Sequence, residues 1–142
     1  MLLGSLGSLC RGTHGSDTRN VKGAGTDIVS VKRLGRSLAR GLGFAQEVFT
    51  PGERLYCDKR PNAAQHYAAR FAAKEAFLKA VGVGLFGGVL LQDIEVVRDE
   101  IGPPRLNLGP TAAAALERVG ANRSHLSLSH EPDYAIAFVV VS

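Results

Sequence analysis

The sequence predicts an α+β domain, and three observations predict it. A long alanine-rich stretch, residues 63–81, is built of strong helix formers. Runs rich in β-branched residues stand at both ends of the chain. Between them, short apolar runs are separated by Gly- and Pro-rich turn signals. At 142 residues, 45% of them hydrophobic, the chain suits one compact unit with a useful core. It carries no internal repeat. Residues 1–20, MLLGSLGSLCRGTHGSDTRN, read as a flexible N-terminal tail: the short Leu-bearing start lacks the basic segment that precedes the apolar part of a secretory signal. The domain is expected over 21–142.

Taken in order, residues 21–29, VKGAGTDIV, combine glycines with β-branched residues and predict a first strand ending near Asp27. Residues 30–40 place Val31, Leu34 and Leu38 at helical spacing, with Lys32, Arg33 and Arg36 elsewhere, so one face packs and the rest is basic. The next helix begins at FTPGE. Thr50 caps it, Pro51 suits the first helical position, and Glu53 stands where a capping-box carboxylate reaches back to the cap amide. Pro61 ends that helix. Asn62 is the expected cap of the long helix, which Gly82 and Gly84 stop. QDIEVVRDEIGPPRLNL is two apolar runs around a turn, a hairpin. GPTAAAALERVG is a small helix from Pro110 to Gly120. The C-terminus is strand, tight turn, strand: Leu126 and Leu128 point one way, Ser127 and Ser129 the other, and the last run is apolar enough for a central strand covered on both faces.

A formal net charge of +4 is ordinary surface charge or the mark of an acidic partner or phosphate ligand. The two cysteines, Cys10 and Cys57, have no metal-ligand spacing, so neither a zinc site nor a disulfide framework is expected and a reducing, cytoplasmic compartment fits. Cys57 reads as a helix-packing residue. No apolar run approaches the roughly 20 residues of a membrane-spanning helix, so no membrane partner is expected; no nucleic-acid partner is expected either.

The long helix holds a lone acid in RFAAKEAFLK, residues 70–79. At 100° per residue, alanines 72, 73, 76 and 80 share one broad stripe with Phe77 at its edge, and small residues there let another backbone approach closely. Phe71 and Leu78 form a second apolar strip. Between the strips, Glu75 and Lys79 lie on one side and Arg70 and Lys74 on the other. The plain reading of Glu75 and Lys79 is an i,i+4 ion pair worth about 0.3–0.5 kcal/mol. The functional reading pairs Glu75 with Asp27 at the strand end: two converging carboxylates suit magnesium, completed by waters and substrate phosphates. Arg33, Arg70, Lys74 and Lys79 are then candidates to hold those phosphates.

Other signals carry less. GVGLFG at 82–87 has the glycine spacing of a dinucleotide fingerprint but follows a helix, the reverse of the strand-to-helix context that motif needs; it closes the long helix or moves over a ligand. Ser129 and His130 are adjacent on a strand and point to opposite faces, with no nucleophile elbow, so a serine-hydrolase reading fails. His130 is either a turn residue or a strand-end group that touches phosphate or assists proton transfer. His14, His66 and His125 read as surface residues.

Four blocks in order, GAGTDIVSVKR (23–33), FTPGERLYC (49–57), RFAAKEAFLKAVGVG (70–84) and SLSHEPDYAIAFVV (127–140), resemble the holo-acyl-carrier-protein synthases, the small group of 4'-phosphopantetheinyl transferases. The resemblance implies that family's fold, a small antiparallel sheet packed against a long helix, assembled as a homotrimer with sites between subunits. It implies magnesium-dependent transfer of 4'-phosphopantetheine from coenzyme A to a serine of an apo acyl-carrier protein, releasing adenosine 3',5'-bisphosphate, in support of fatty acid biosynthesis. Carried over by position, Asp27 and Glu75 would be the magnesium ligands. Arg70, Lys79 and His130 would contact the coenzyme A phosphates, Glu75, Lys79 and His130 would be catalytic, and Arg33 would dock the acidic carrier. Two-lobed relatives use an Asp-x-Glu pair, whereas Val29 stands two residues after Asp27, which matches the short type. Ala24 departs from the larger aliphatic usual there. Two other classes compete: a non-enzymatic module whose basic face binds an acidic protein, and a magnesium-dependent phosphotransferase or hydrolase acting on another nucleotide.

Overall fold

The computed structural model describes residues 20–84 and 87–142. The expected tail falls almost wholly on residues 1–19, outside the described residues, as do His14 and Cys10; so does the centre of the GVGLFG loop.

Strand β1 (Gly23–Ser30) leads directly into helix α1 (Val31–Ala39), where the Ser30 hydroxyl accepts from the Arg33 amide at 3.3 Å and so caps the first turn. A five-residue helix, α2 (Phe44–Val48), follows. Helix α3 (Pro51–Asp58) starts with the expected capping box: the Glu53 amide donates to Thr50 Oγ1 at 3.1 Å and the Thr50 amide to Glu53 Oε1 at 3.0 Å. The long helix α4 (Ala63–Ala80) differs from expectation at its start, since the Asn62 side chain makes no capping hydrogen bond. At its end, the Gly82 amide donates to the Lys79 carbonyl and the Val83 amide to the Leu78 carbonyl, with Gly82 at φ 70°. This is the Schellman closure that a glycine permits, so the start of the glycine-rich loop does close the helix.

After a 3-10 turn (Leu91–Asp93), β2 (Ile94–Val97) and β3 (Arg105–Leu108) form the predicted hairpin. Helix α5 (Pro110–Arg118), β4 (Ser124–His130) and β5 (Tyr134–Val141) complete the chain. The main sheet is antiparallel in the order β1-β5-β4, with Asp27 opposite Ala137 and Ala137 opposite Leu128. Leu126 and Leu128 are half-buried while Ser127 and Ser129 are exposed, the predicted alternation.

Helix α4 lies across the inner face of this sheet. Its alanine stripe works as the angles require: Ala72, Ala73 and Ala76 are fully buried. Gly23 and Gly25 of β1 face it, and a Cβ at these positions would stand 1.9 Å from the Ala80 carbonyl oxygen and 2.0 Å from that of Ala76. Backbone therefore packs on backbone. Two residues beyond Gly25 on the same face, Asp27 is carried up against the last turns of α4.

One expectation fails at β5. The strand is central, but Ala135, Ala137, Val139 and Val141 are buried while Tyr134, Ile136 and Phe138 are 42–48% exposed. Among the described residues, the chain covers one face of its own sheet.

Candidate active site

Asp27 from β1 and Glu75 from α4 line one cleft of about 390 Å3, together with Arg33 and Leu34 of α1, Phe44 of α2 and Phe71. Strand β1 brings Asp27 here because its two glycines let it rest on α4; α1 brings Arg33 because it begins where β1 ends. Lys79, one helical turn after Glu75, does not form the i,i+4 pair. Its ammonium donates to Asp27 Oδ1 at 3.1 Å and to the Thr26 carbonyl at 2.9 Å. Glu75 is left with Oε1 buried and without a hydrogen-bond partner among the described residues. Burial pushes its carboxyl above the ordinary range; the neighbouring Asp27 carboxylate adds to the rise, and Lys79 opposes it. A buried carboxylate oxygen with no donor among the described residues, beside a second carboxylate, fits a cation. No third His, Cys, Asp or Glu joins them among the described residues, which matches a hard cation completed by water and phosphate oxygens.

Lys74 does not belong to this cleft, and its candidacy as a phosphate holder is corrected. It is fully buried, with its ammonium bonded to Glu53 Oε1 at 2.8 Å and to two main-chain carbonyls. A cation with all three donors used inside the protein has none for a ligand.

Arg70 and His130 sit in a second basic cluster, apart from the carboxylates. Arg70, 4% exposed, lies 4.1 Å from the centre of the Tyr56 ring, and Arg60 lies 3.4 Å from it. Arg70 Nε is buried without a hydrogen-bond partner among the described residues. His66 packs edge-on against Tyr56 and against His130, at ring distances of 5.8 and 5.7 Å. Burial lowers the His66 pKa, and the charges of Arg70 and His130 lower it further. His66 is thus half-buried in the cluster, a correction to its reading as a surface residue. Beside it, Tyr56, Arg60 and Arg98 border a second cleft of about 510 Å3 with Asp99 and Glu100. His130 pairs with Ala135, which pairs with Val29, so it stands on the Asp27 side of the sheet, two strands across and two residues along. With strands about 4.8 Å apart and about 3.4 Å of rise per residue, that is roughly 12 Å from Asp27. Tyr56 and Arg60 were not singled out from the sequence, and His66 was read there as a surface residue; the FTPGERLYC block contained Tyr56, but only tertiary packing gathers the five side chains.

Residues 23–139 match the 4'-phosphopantetheinyl transferase superfamily. The chain belongs to that superfamily. It is 43% identical over 122 residues to a holo-[acyl-carrier-protein] synthase of Koribacter versatilis, covering 85% of this chain and 98% of that protein. The corresponding protein of Syntrophus aciditrophicus is 47% identical over 122 residues, covering 85% of this chain and 95% of the relative. Among solved structures, a holo-[acyl-carrier-protein] synthase from Neisseria meningitidis superposes with a TM-score of 0.78 at 42% identity, covering 87% of this chain and 99% of that one. A synthase from Bacillus anthracis, solved in complex with CoA (3',5'-ADP), superposes with a TM-score of 0.71 at 33% identity, covering 85% of this chain and 96% of that one. Both matches agree with the α+β fold and the family expected from the four sequence blocks.

Proposed function

We propose that the chain transfers the 4'-phosphopantetheine group of coenzyme A to a serine of an apo acyl-carrier protein, as a holo-[acyl-carrier-protein] synthase. Its relatives' activity supports this, and the observation that carries it in the molecule is the orphaned Glu75 oxygen beside Asp27 and Lys79. The donor has two anionic parts, a pyrophosphate and a 3'-phosphate. The chain has two matching centres: the Asp27–Glu75–Lys79 cleft, and the cluster of Arg70, Arg60, His66 and His130. The pyrophosphate is assigned to the first and the 3'-phosphate to the second.

Asp27 and Glu75 would hold magnesium, which when bound supplies neutralisation of the pyrophosphate charge. The chain's own residues do the rest. The carrier serine oxygen attacks the phosphorus that bears pantetheine, a new P–O bond forms, and the bond to the bridging oxygen breaks, leaving adenosine 3',5'-bisphosphate. Lys79, 55% exposed and directed by the Thr26 carbonyl and Asp27, offers its ammonium to the leaving oxygen. The serine proton passes, directly or through water, to a carboxylate of the Asp27–Glu75 cleft, and His130, in the second cluster, is left to the 3'-phosphate. Arg33, exposed on the basic face of α1 at the border of the cleft, would dock the acidic carrier.

A homotrimer is the matching assembly. Ile28, Ile136 and Phe138, with Tyr134 beside them, form a contiguous apolar patch on the outer face of the sheet, the kind of surface that a subunit contact covers. No helix is long and apolar enough to cross a membrane among the described residues, and the cytoplasm, where coenzyme A and carrier proteins meet, is the assigned compartment.

The competing nucleotide reading is separated by products. Chromatography after incubation with magnesium, apo carrier and either coenzyme A or ATP should give adenosine 3',5'-bisphosphate from the first and leave the second unchanged. Carrier-independent cleavage of ATP would favour the other reading.

A further inference from the structure

The buried Glu53–Lys74 pair has no part in the chemistry above, yet Lys74 immediately precedes Glu75. Both side chains are fully buried. The Lys74 ammonium donates to Glu53 Oε1 at 2.8 Å, to the Leu91 carbonyl at 2.8 Å and to the Ile94 carbonyl at 2.7 Å. Glu53 Oε1 also accepts from the Thr50 amide and Oε2 from the Val96 amide, each at 3.0 Å. One pair therefore joins the start of α3, the middle of α4, the 3-10 turn and β2. Burial lowers the Lys74 pKa and the Glu53 carboxylate opposes that fall. As a source of stability such a pair is weak, because two apolar side chains of similar volume hold the same layers equally well or better. What five directed hydrogen bonds add is orientation.

The contact of Gly23 and Gly25 with the Ala76 and Ala80 carbonyls fixes how near β1 comes, and the buried Tyr67, Phe77 and Leu78 resist turning of the helix mainly by packing; the Lys74 bonds add direction to that packing next to Glu75. Glu75 follows Lys74 by 100° on that helix. A rotation that carries Glu75 away from Asp27 drags the Lys74 ammonium out of its three bonds. We infer that Lys74, through Glu53 and the Leu91 and Ile94 carbonyls, is a positioning residue that sets the rotation of α4 so that Glu75 meets Asp27. The inference rests on the reading of Asp27 and Glu75 as the metal pair.

The test is the double variant Glu53→Gln/Lys74→Met, with Lys74→Gln as a second variant that keeps a donor for one carbonyl. Binding of Mn2+ alone is measured by titration without coenzyme A or carrier, beside the thermal transition and the steady-state constants. The expected result is a folded double variant whose Mn2+ affinity falls about 10- to 100-fold, the range typical when supports of metal ligands are removed. Its kcat should fall with that affinity while the KM for carrier holds, and Lys74→Gln should lie between. A folded double variant with wild-type Mn2+ affinity overturns the inference and leaves the metal reading standing. If the double variant does not fold, Lys74→Gln decides: wild-type affinity overturns the inference, and weakening of about 3-fold or more supports it. Equal Mn2+ binding by the wild-type chain and Glu75→Gln instead sinks the metal reading itself.

Discussion

At Glu75 the fold holds a carboxylate where a carboxylate is uncomfortable: half-buried, beside Asp27, with one oxygen lacking a partner among the described residues. Its raised pKa means that the folded chain holds this proton more tightly than the unfolded chain does. Stability of the metal-free protein therefore falls as pH rises from the ordinary carboxylate range through the folded-state value. Glu75→Gln should raise the thermal midpoint of the metal-free chain at pH 7, and the gain should vanish at a pH low enough to protonate Glu75. The same variant should lose at least about 100-fold in turnover, the scale of removing one preorganised electrostatic group. Calorimetry at two pH values with a turnover assay checks both halves. Asp27 and Glu75 could be nominated from sequence because strand ends and lone helical acids are local features. The partners could not: i,i+4 spacing offers Lys79 to Glu75, but β1 puts Asp27 within 3.1 Å of it. Lys74 looked like one of a charged band until its partner, 21 residues away, was folded onto it.

Among the elements, β1 and α4 make the site, and their contact was readable as an alanine stripe awaiting a close backbone. Gly25→Ala should break that contact, since its Cβ would lie 2.0 Å from the Ala76 carbonyl oxygen. A loss of about 1–3 kcal/mol or more is expected from overpacking, with turnover falling further than stability because Asp27 moves; chemical denaturation and kcat measure the two. Helix α1 supplies the basic rim. Arg33→Ala should raise the KM for carrier about 5-fold or more, a loss of about 1 kcal/mol of rim electrostatics, and leave the KM for coenzyme A unchanged; equal change in both would remove the docking role. The capping box of α3 was legible residue by residue, because caps are local. Helix α2 and the 3-10 turn were not: at five and three residues they are shorter than the window in which helical period can be recognised.

For the whole molecule, the apolar run of β5 led to a strand expected to be covered on both faces, and among the described residues one of those faces is covered. The physical reason is that sequence records a residue's burial without recording whose surface buries it. Ile136→Glu, placing a charge in the centre of the bare face, should give monomers in size-exclusion chromatography with light scattering, where the wild-type chain should elute as the proposed trimer. The central claim is that Asp27 and Glu75 form a magnesium pair serving phosphopantetheine transfer. Its most direct test is the mass of an apo acyl-carrier protein after incubation with the chain and coenzyme A, with magnesium, with chelator, and with Glu75→Gln. The account predicts a gain of one phosphopantetheine arm with magnesium and the wild-type chain only; the same gain under chelation, or with Glu75→Gln, would contradict it.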